Sequence, residues 1–136
     1  MKTILFICTH NSARSQMAEG LINALYGGKF KAFSAGTNPI GVNPHAIRAM
    51  AEIGIDISGH HSKRLTEFLG KKIDYVITVC DSANESCPVF PGAANRLHWS
   101  FPDPSAVKGS ETAKMDAFRK VRDDIKSKIG EFFGKS

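Results

Sequence analysis

The chain is short of cysteine, has a single tryptophan and lacks long apolar runs, and the scarcities narrow what it can be. Its three cysteines, Cys8, Cys80 and Cys87, are an odd number and cannot pair off into a structural disulfide framework. No Cys-x-x-Cys occurs and no histidine pair falls at zinc-finger spacing, so no metal site is expected. The longest apolar run, Ile4-Leu5-Phe6-Ile7-Cys8, is far below the roughly 20 residues of a membrane span, so no membrane partner is expected. Met1-Lys2-Thr3 opens directly onto that run with no small-residue cleavage site, so the expected location is cytoplasmic. Basic and aromatic residues do not interleave as single-stranded nucleic acid requires, so no nucleic-acid partner is expected. A phosphate loop ending in Gly-Lys-Ser/Thr is missing, which disfavours a nucleotide triphosphatase. No repeat, low-complexity tract or linker interrupts residues 1–136, which read as one domain.

What is present is an alternation of strand and helix patterns. Residues 3–8 form a continuous apolar run suited to a central parallel strand buried on both faces. A helix begins at Ser15, with Met17, Ala18, Leu21, Ile22 and Leu25 at helical spacing, closed by Gly27-Gly28. Residues 30–35 read as a second strand, and Asn43-Pro44 as the cap and first turn of a helix ending at Gly54. A shorter helix is expected from Ser62 to about Phe68, a third strand over 74–80 and a fourth over 95–99. The last helix runs from about Glu111 to Phe133, with Met115, Phe118, Val121, Ile125, Ile129 and Phe132 three or four apart. This pattern predicts an α/β three-layer sandwich: a parallel sheet with helices on both faces. Ligands of such sheets bind beyond the carboxyl ends of the strands, which singles out the loops after residues 7 and 79. The net charge of +5 favours an anionic ligand there, though weakly.

After the first strand the chain reads Cys8-Thr9-His10-Asn11-Ser12-Ala13-Arg14-Ser15. A tight loop running into a helix lines up backbone N–H groups as a concave anion site, and the helix start adds positive potential. Arg14 offers a planar fork for two oxygens of a tetrahedral oxyanion. The same field favours the thiolate of Cys8, and Ser12 is expected to donate its hydroxyl to that sulfur. Taken singly, a cysteine ending a buried strand is most often an inert core residue. Joined to an arginine at a strand-to-helix turn, it reads as a nucleophile.

The pattern Cys8-Thr9-x-Asn11-Ser12-x-Arg14-Ser15, so near the start, resembles the catalytic loop of the low-molecular-weight protein tyrosine phosphatases. Its extension Ser15-Gln16-Met17-Ala18-Glu19-Gly20, with Ser34-Ala35-Gly36 further on, more closely resembles the arsenate reductases of the same fold, and the resemblance spans Ile4 to Phe132. It implies a four-stranded sheet in the order 2-1-3-4. It also implies an oxyanion site formed by Thr9, His10, Asn11, Ser12, Ala13, Arg14 and Ser15, with arsenate, phosphate or sulfate as ligand and no cofactor. Trp99-Ser100-Phe101-x-Asp103-Pro104 resembles the general-acid loop of both enzyme types, and the flanking prolines Pro102 and Pro104 would hold Asp103 in place. In the phosphatases two tyrosines often come after this Asp-Pro; Ser105-Ala106 stand here instead, which weakens the case for phosphotyrosine. Lys63 falls where some relatives place a carboxylate for potassium, and argues against a bound cation.

Cys80 and Cys87 complete the reading. Parallel strands leaving one sheet edge bring residue 80 towards residue 8, within the roughly 7 Å between Cα atoms that a disulfide needs. Residues 81–87 are small and polar, with few apolar anchors, and are expected to form one or two helical turns able to unwind and carry Cys87 to Cys80. The thioredoxin-coupled arsenate reductases carry this triple, with Val79-Cys80 and Cys87-Pro88 matching their pattern. The resemblance therefore implies reduction of arsenate to arsenite by a three-cysteine relay, in a monomer that exchanges disulfides transiently with thioredoxin. Two other functions fit the loop: phosphomonoester hydrolysis through Cys8, Arg14 and Asp103 alone, and a non-catalytic redox-sensing oxyanion module.

Overall fold

The computed structural model describes residues 1–81 and 90–134. Four parallel strands form one sheet in the order β2-β1-β3-β4: β1 Lys2–Cys8, β2 Phe30–Gly36, β3 Tyr75–Thr78 and β4 Asn95–His98. β1 is central because Ile4, Leu5, Phe6 and Ile7 are all fully buried. Each such side chain contributes about 1.5–3 kcal/mol to stability.

Successive residues of β1 point to opposite faces and feed two cores. Ile4, Phe6 and Cys8 face α1 (Arg14–Leu25), α2 (Pro44–Ala51) and α3 (Glu111–Phe133). Leu5 and Ile7 face the other way, where Phe68, Ile73 and Phe90 cover them. Asn43 caps α2 by accepting the His45 N–H at 2.8 Å, with Pro44 at the first helical position. Ser110 caps α3 by accepting the Ala113 N–H at 3.1 Å.

Several boundaries differ from expectation. The helix expected from Ser62 shrinks to a single 3₁₀ turn, Leu65–Phe68. Residues 62–64 are extended, Arg64 bridges Gly36, and Gly36 N–H donates to the Lys63 carbonyl at 2.9 Å. A backbone recruited by a neighbouring strand cannot also close helical turns. β3 covers only Tyr75–Thr78 of the expected 74–80; at its start the Asp74 carboxylate accepts the Thr3 N–H at 2.8 Å, and past its end Val79 N–H still donates to the Ile7 carbonyl. Cys80 therefore lies two residues past β3 and does not end it. The helical turns expected over 81–87, and Cys87 itself, lie outside the described residues. Among the described residues no helix is long and apolar enough to cross a membrane.

Candidate active site

Cys8 is the last residue of β1, is 2% exposed and is not in a disulfide. The loop after it is held from outside. The carbonyls of Thr9, His10 and Ser12 accept the N–H groups of Asn38, Ile40 and Asn43, at 2.8, 3.3 and 2.9 Å. The Asn11 carbonyl accepts the Ser62 hydroxyl at 2.7 Å and the Gln16 amide at 3.2 Å. A trans peptide points its N–H opposite to its C=O. With four successive carbonyls tied outward, the N–H groups of residues 10–13 turn to the inner side, as an anion-binding loop requires. α1 begins directly behind, and Ala13 at its cap position supplies no side-chain acceptor, so its first-turn N–H groups have no side-chain cap.

Asn11 sets the loop's bend. It is fully buried and adopts φ 47°, a left-handed conformation that asparagine tolerates better than most residues. Its side-chain oxygen accepts the Lys63 N–H at 2.8 Å and the Gln16 amide at 3.0 Å. Its amide nitrogen donates to the Ser15 hydroxyl at 2.8 Å, and that hydroxyl lies 2.9 Å from Cys8 Sγ. Ser15 already accepts from Asn11, so its own proton is available to the sulfur. The hydroxyl on Cys8 is thus that of Ser15, where Ser12 was expected.

Behind the loop a second buried network holds Gln16. Its carbonyl oxygen meets His60 Nδ1 at 3.1 Å, and its amide nitrogen donates to the His61 carbonyl at 3.0 Å. His60 continues to Glu19 at 3.2 Å; Glu19 accepts the Ser34 hydroxyl at 2.7 Å and has the Lys63 ammonium at 3.7 Å. Lysine charge thus meets the one carboxylate of this cluster. Among the described residues, no group of three histidine, cysteine or acidic side chains is arranged to hold a metal.

In front of Cys8 is a cavity of about 120 Å³, room for one small tetrahedral anion. Cys8, His10, Ser12, Ala13 and Arg14 line it from the loop, and Asp103 and Ser105 face them. Thr9, Asn11 and Ser15 stand behind. The Thr9 hydroxyl is buried and meets no hydrogen-bond partner among the described residues. Arg14 is 3% exposed; one guanidinium nitrogen donates to the Phe101 carbonyl at 3.0 Å and the other lies 4.0 Å from the Asp103 carboxylate. The other Asp103 oxygen accepts the backbone and hydroxyl of Ser105, at 2.9 and 2.6 Å. Arg14 and Asp103 come together because the loop carrying the acid is pinned to the arginine through Phe101.

Cys80 is fully buried and is in a disulfide. The β1–β3 register pairs Ile7 with Thr78, and Val79 N–H donates to the Ile7 carbonyl at 2.9 Å, so Cys8 stands beside residue 79. One residue further on, at strand spacing and rise, is a separation of about 6 Å between Cα atoms.

Sequence reasoning missed the residues that hold the loop from outside. Ser62 and Lys63 reach Asn11 from fifty residues away, and Asn43 serves both as helix cap and as loop anchor. Gly36 is packed so closely that a Cβ there would meet the carbonyl oxygens of Thr9 and Cys8 at 2.5 and 2.7 Å. Its place in Ser34-Ala35-Gly36 was the only sequence signal for this.

A parallel sheet of this order, with a cysteine loop of this build at the end of its central strand, defines the phosphatase-like class of α/β proteins. Residues 3–136 match the family described as low molecular weight phosphotyrosine protein phosphatase, and the chain belongs to that family. Among curated relatives it is 45% identical over 131 residues to a protein of Halalkalibacterium halodurans named arsenate reductase, covering 96% of this chain and 94% of that one. A solved structure described as an arsenate reductase in the phosphate-binding state is similar at TM-score 0.78 and 32% identity, covering 99% of this chain and 98% of that one. The thioredoxin-dependent arsenate reductase of Corynebacterium glutamicum is similar at TM-score 0.74 and 28% identity, over 98% of this chain and 61% of that one.

Proposed function

We propose that the protein is a cytoplasmic, monomeric arsenate reductase that draws its electrons from thioredoxin through Cys8, Cys80 and Cys87. The observation that carries this reading is the different oxidation state of two sulfurs, one at the end of β1 and one two residues past β3: Cys8 is free and Cys80 is in a disulfide. That is the distribution the last step of a relay leaves. Phosphomonoester hydrolysis has no use for a disulfide beside its nucleophile.

In the proposed sequence the Cys8 thiolate attacks arsenic while Arg14 and the loop N–H groups hold the anion's oxygens. Asp103, in the cavity wall, gives the proton with which one arsenate oxygen departs as water. Cys80 then attacks Cys8 Sγ. The electron pair of the S–As bond stays on arsenic, arsenite leaves, and a Cys8–Cys80 disulfide forms. Cys87 attacks Cys80 and releases Cys8 as thiolate, and thioredoxin reduces the Cys80–Cys87 disulfide. The roughly 6 Å Cα separation expected of residues 8 and 80 satisfies the disulfide limit. Strand parity opposes the step, since adjacent residues point to opposite faces and Cys8 shares a face with Val79. Cys80 must therefore turn after Val79, the last residue tied to β1, to reach Cys8.

The test is arsenate-dependent NADPH oxidation with thioredoxin and its reductase, on wild type and on Cys8→Ser, Cys80→Ser and Cys87→Ser. All three variants are expected to lose multiple-turnover activity, with Cys87→Ser retaining a single stoichiometric release of arsenite. Sustained turnover by Cys87→Ser would refute the relay. Hydrolysis of para-nitrophenyl phosphate many-fold faster than arsenate reduction would favour the phosphatase.

A further inference from the structure

We propose that His10 is a specificity-determining residue of the oxyanion pocket: as imidazolium it is the second cation that lets the pocket hold a dianion. The inference deepens the reading of the Cys8 cavity as an oxyanion site and rests on it.

Charge is the first reason. Among the described residues lining the cavity, the thiolate that Cys8 presents to the anion is one negative charge against the single positive charge of Arg14. Arg14 is also shared with the acid loop, through Phe101 and Asp103. A dianion entering such a site meets a lining with no net positive charge, and only loop and helix N–H dipoles to hold it. One more positive charge on the wall makes that lining net positive, and His10 is the other described residue of the wall able to carry one.

The second reason is the missing counter-ion. The neighbouring basic side chains already have carboxylate partners: His60 and Lys63 meet Glu19, and His45 meets Glu111 at 2.6 Å. His61 shows only its carbonyl to the network, accepting from Gln16 and Lys63. His10 lines the pocket and, among the described residues, forms no ion pair. Its backbone is fixed by the Ile40 N–H on its carbonyl. His10 is thereby held as a residue of the wall, and the ligand is the partner we assign to it. Protonation of an imidazole supplies that charge, so the pocket's preference for dianions would strengthen at lower pH.

The experiment is calorimetric titration of sulfate, a dianion throughout the range, into wild type and His10→Gln at pH 6.0 and pH 8.5. The quantity read is the ratio of the two affinities at each pH. Cys8, Arg14 and Asp103 are kept in both proteins, so the ratio reads the change at residue 10. Wild type is expected to bind about fivefold more tightly at pH 6.0, the scale of one added charge near a partly solvated dianion, with the ratio falling towards one at pH 8.5. A ratio near one at both values, with wild type binding normally, overturns the inference and leaves the oxyanion site standing. Failure of wild type to bind sulfate or phosphate at either pH overturns the oxyanion reading itself, and the inference with it. Circular dichroism of His10→Gln establishes that the compared proteins share a fold.

Discussion

Removal of one oxygen atom tests the geometry behind Cys8. In Ser15→Ala the hydroxyl 2.9 Å from Cys8 Sγ disappears, and Asn11 Nδ2, which donates to it at 2.8 Å, loses its acceptor. The change has two effects, and they can be separated. A hydrogen bond to a charged group is worth about 1.5–3 kcal/mol and one to a neutral thiol about 1, so the thiolate loses roughly 0.5–2 kcal/mol more than the thiol. That difference corresponds to about a 2- to 30-fold slower reaction of Cys8 wherever thiolate formation or release limits the rate. The orphaned amide is buried and costs about 1–3 kcal/mol of stability, a fall in melting temperature of roughly 3–10 °C for a domain of this size. The assay is the rate of iodoacetamide alkylation at Cys8, located by mass spectrometry, at a temperature where the variant is fully folded. Arsenate turnover is measured in parallel. Alkylation within twofold of wild type, with the expected loss of stability, would show that the hydroxyl braces the loop without acting on the sulfur.

Two further substitutions probe the frame. Gly36→Ala places a Cβ against the backbone of Thr9, Cys8 and Asn11, at 2.5 to 2.9 Å, and none of those atoms can rotate away. It is expected to destabilise the protein by about 1–3 kcal/mol and to cost most of the anion affinity, read as denaturant midpoint and sulfate titration. Far from the site, Glu52 ties α2 to α3: hydrogen bonds from Arg119 foremost, and also from Arg122, lower its pKa from 4.5 to about 2. A depressed carboxylate stabilises the fold above its unfolded value and loses that contribution as pH falls through its folded one. The urea-midpoint advantage of wild type over Glu52→Gln is therefore expected to be complete at pH 7 and to vanish as pH drops from 4.5 towards 2; an advantage unchanged at pH 2 would mean the carboxylate's charge contributes nothing.

How much of this was legible in the sequence depends on the range of the forces involved. The strand–helix alternation and the cap Asn43-Pro44 are set by near neighbours, and one continuous apolar run sufficed to place β1 at the centre of the sheet. The inner face of the loop was legible in part: of residues 9–15, His10, Ser12, Ala13 and Arg14 line the cavity, while Thr9, Asn11 and Ser15 stand behind it. The outer face was not. Its hydrogen bonds come from residues 38–43 and 62–63, and the latter were read as helix because their local pattern allows it. The same blindness moved the hydroxyl on Cys8 from Ser15 to Ser12. Spacing alone cannot say which serine turns inward, because the answer depends on the left-handed bend at Asn11, which the distant backbone of Lys63 holds in place. A motif of this kind therefore reports what a ligand would touch and says little about what keeps the loop in shape. Substitutions at Gly36, Ser62 or Asn43, none within the cysteine loop, should accordingly disturb anion binding as much as changes to the residues that line it.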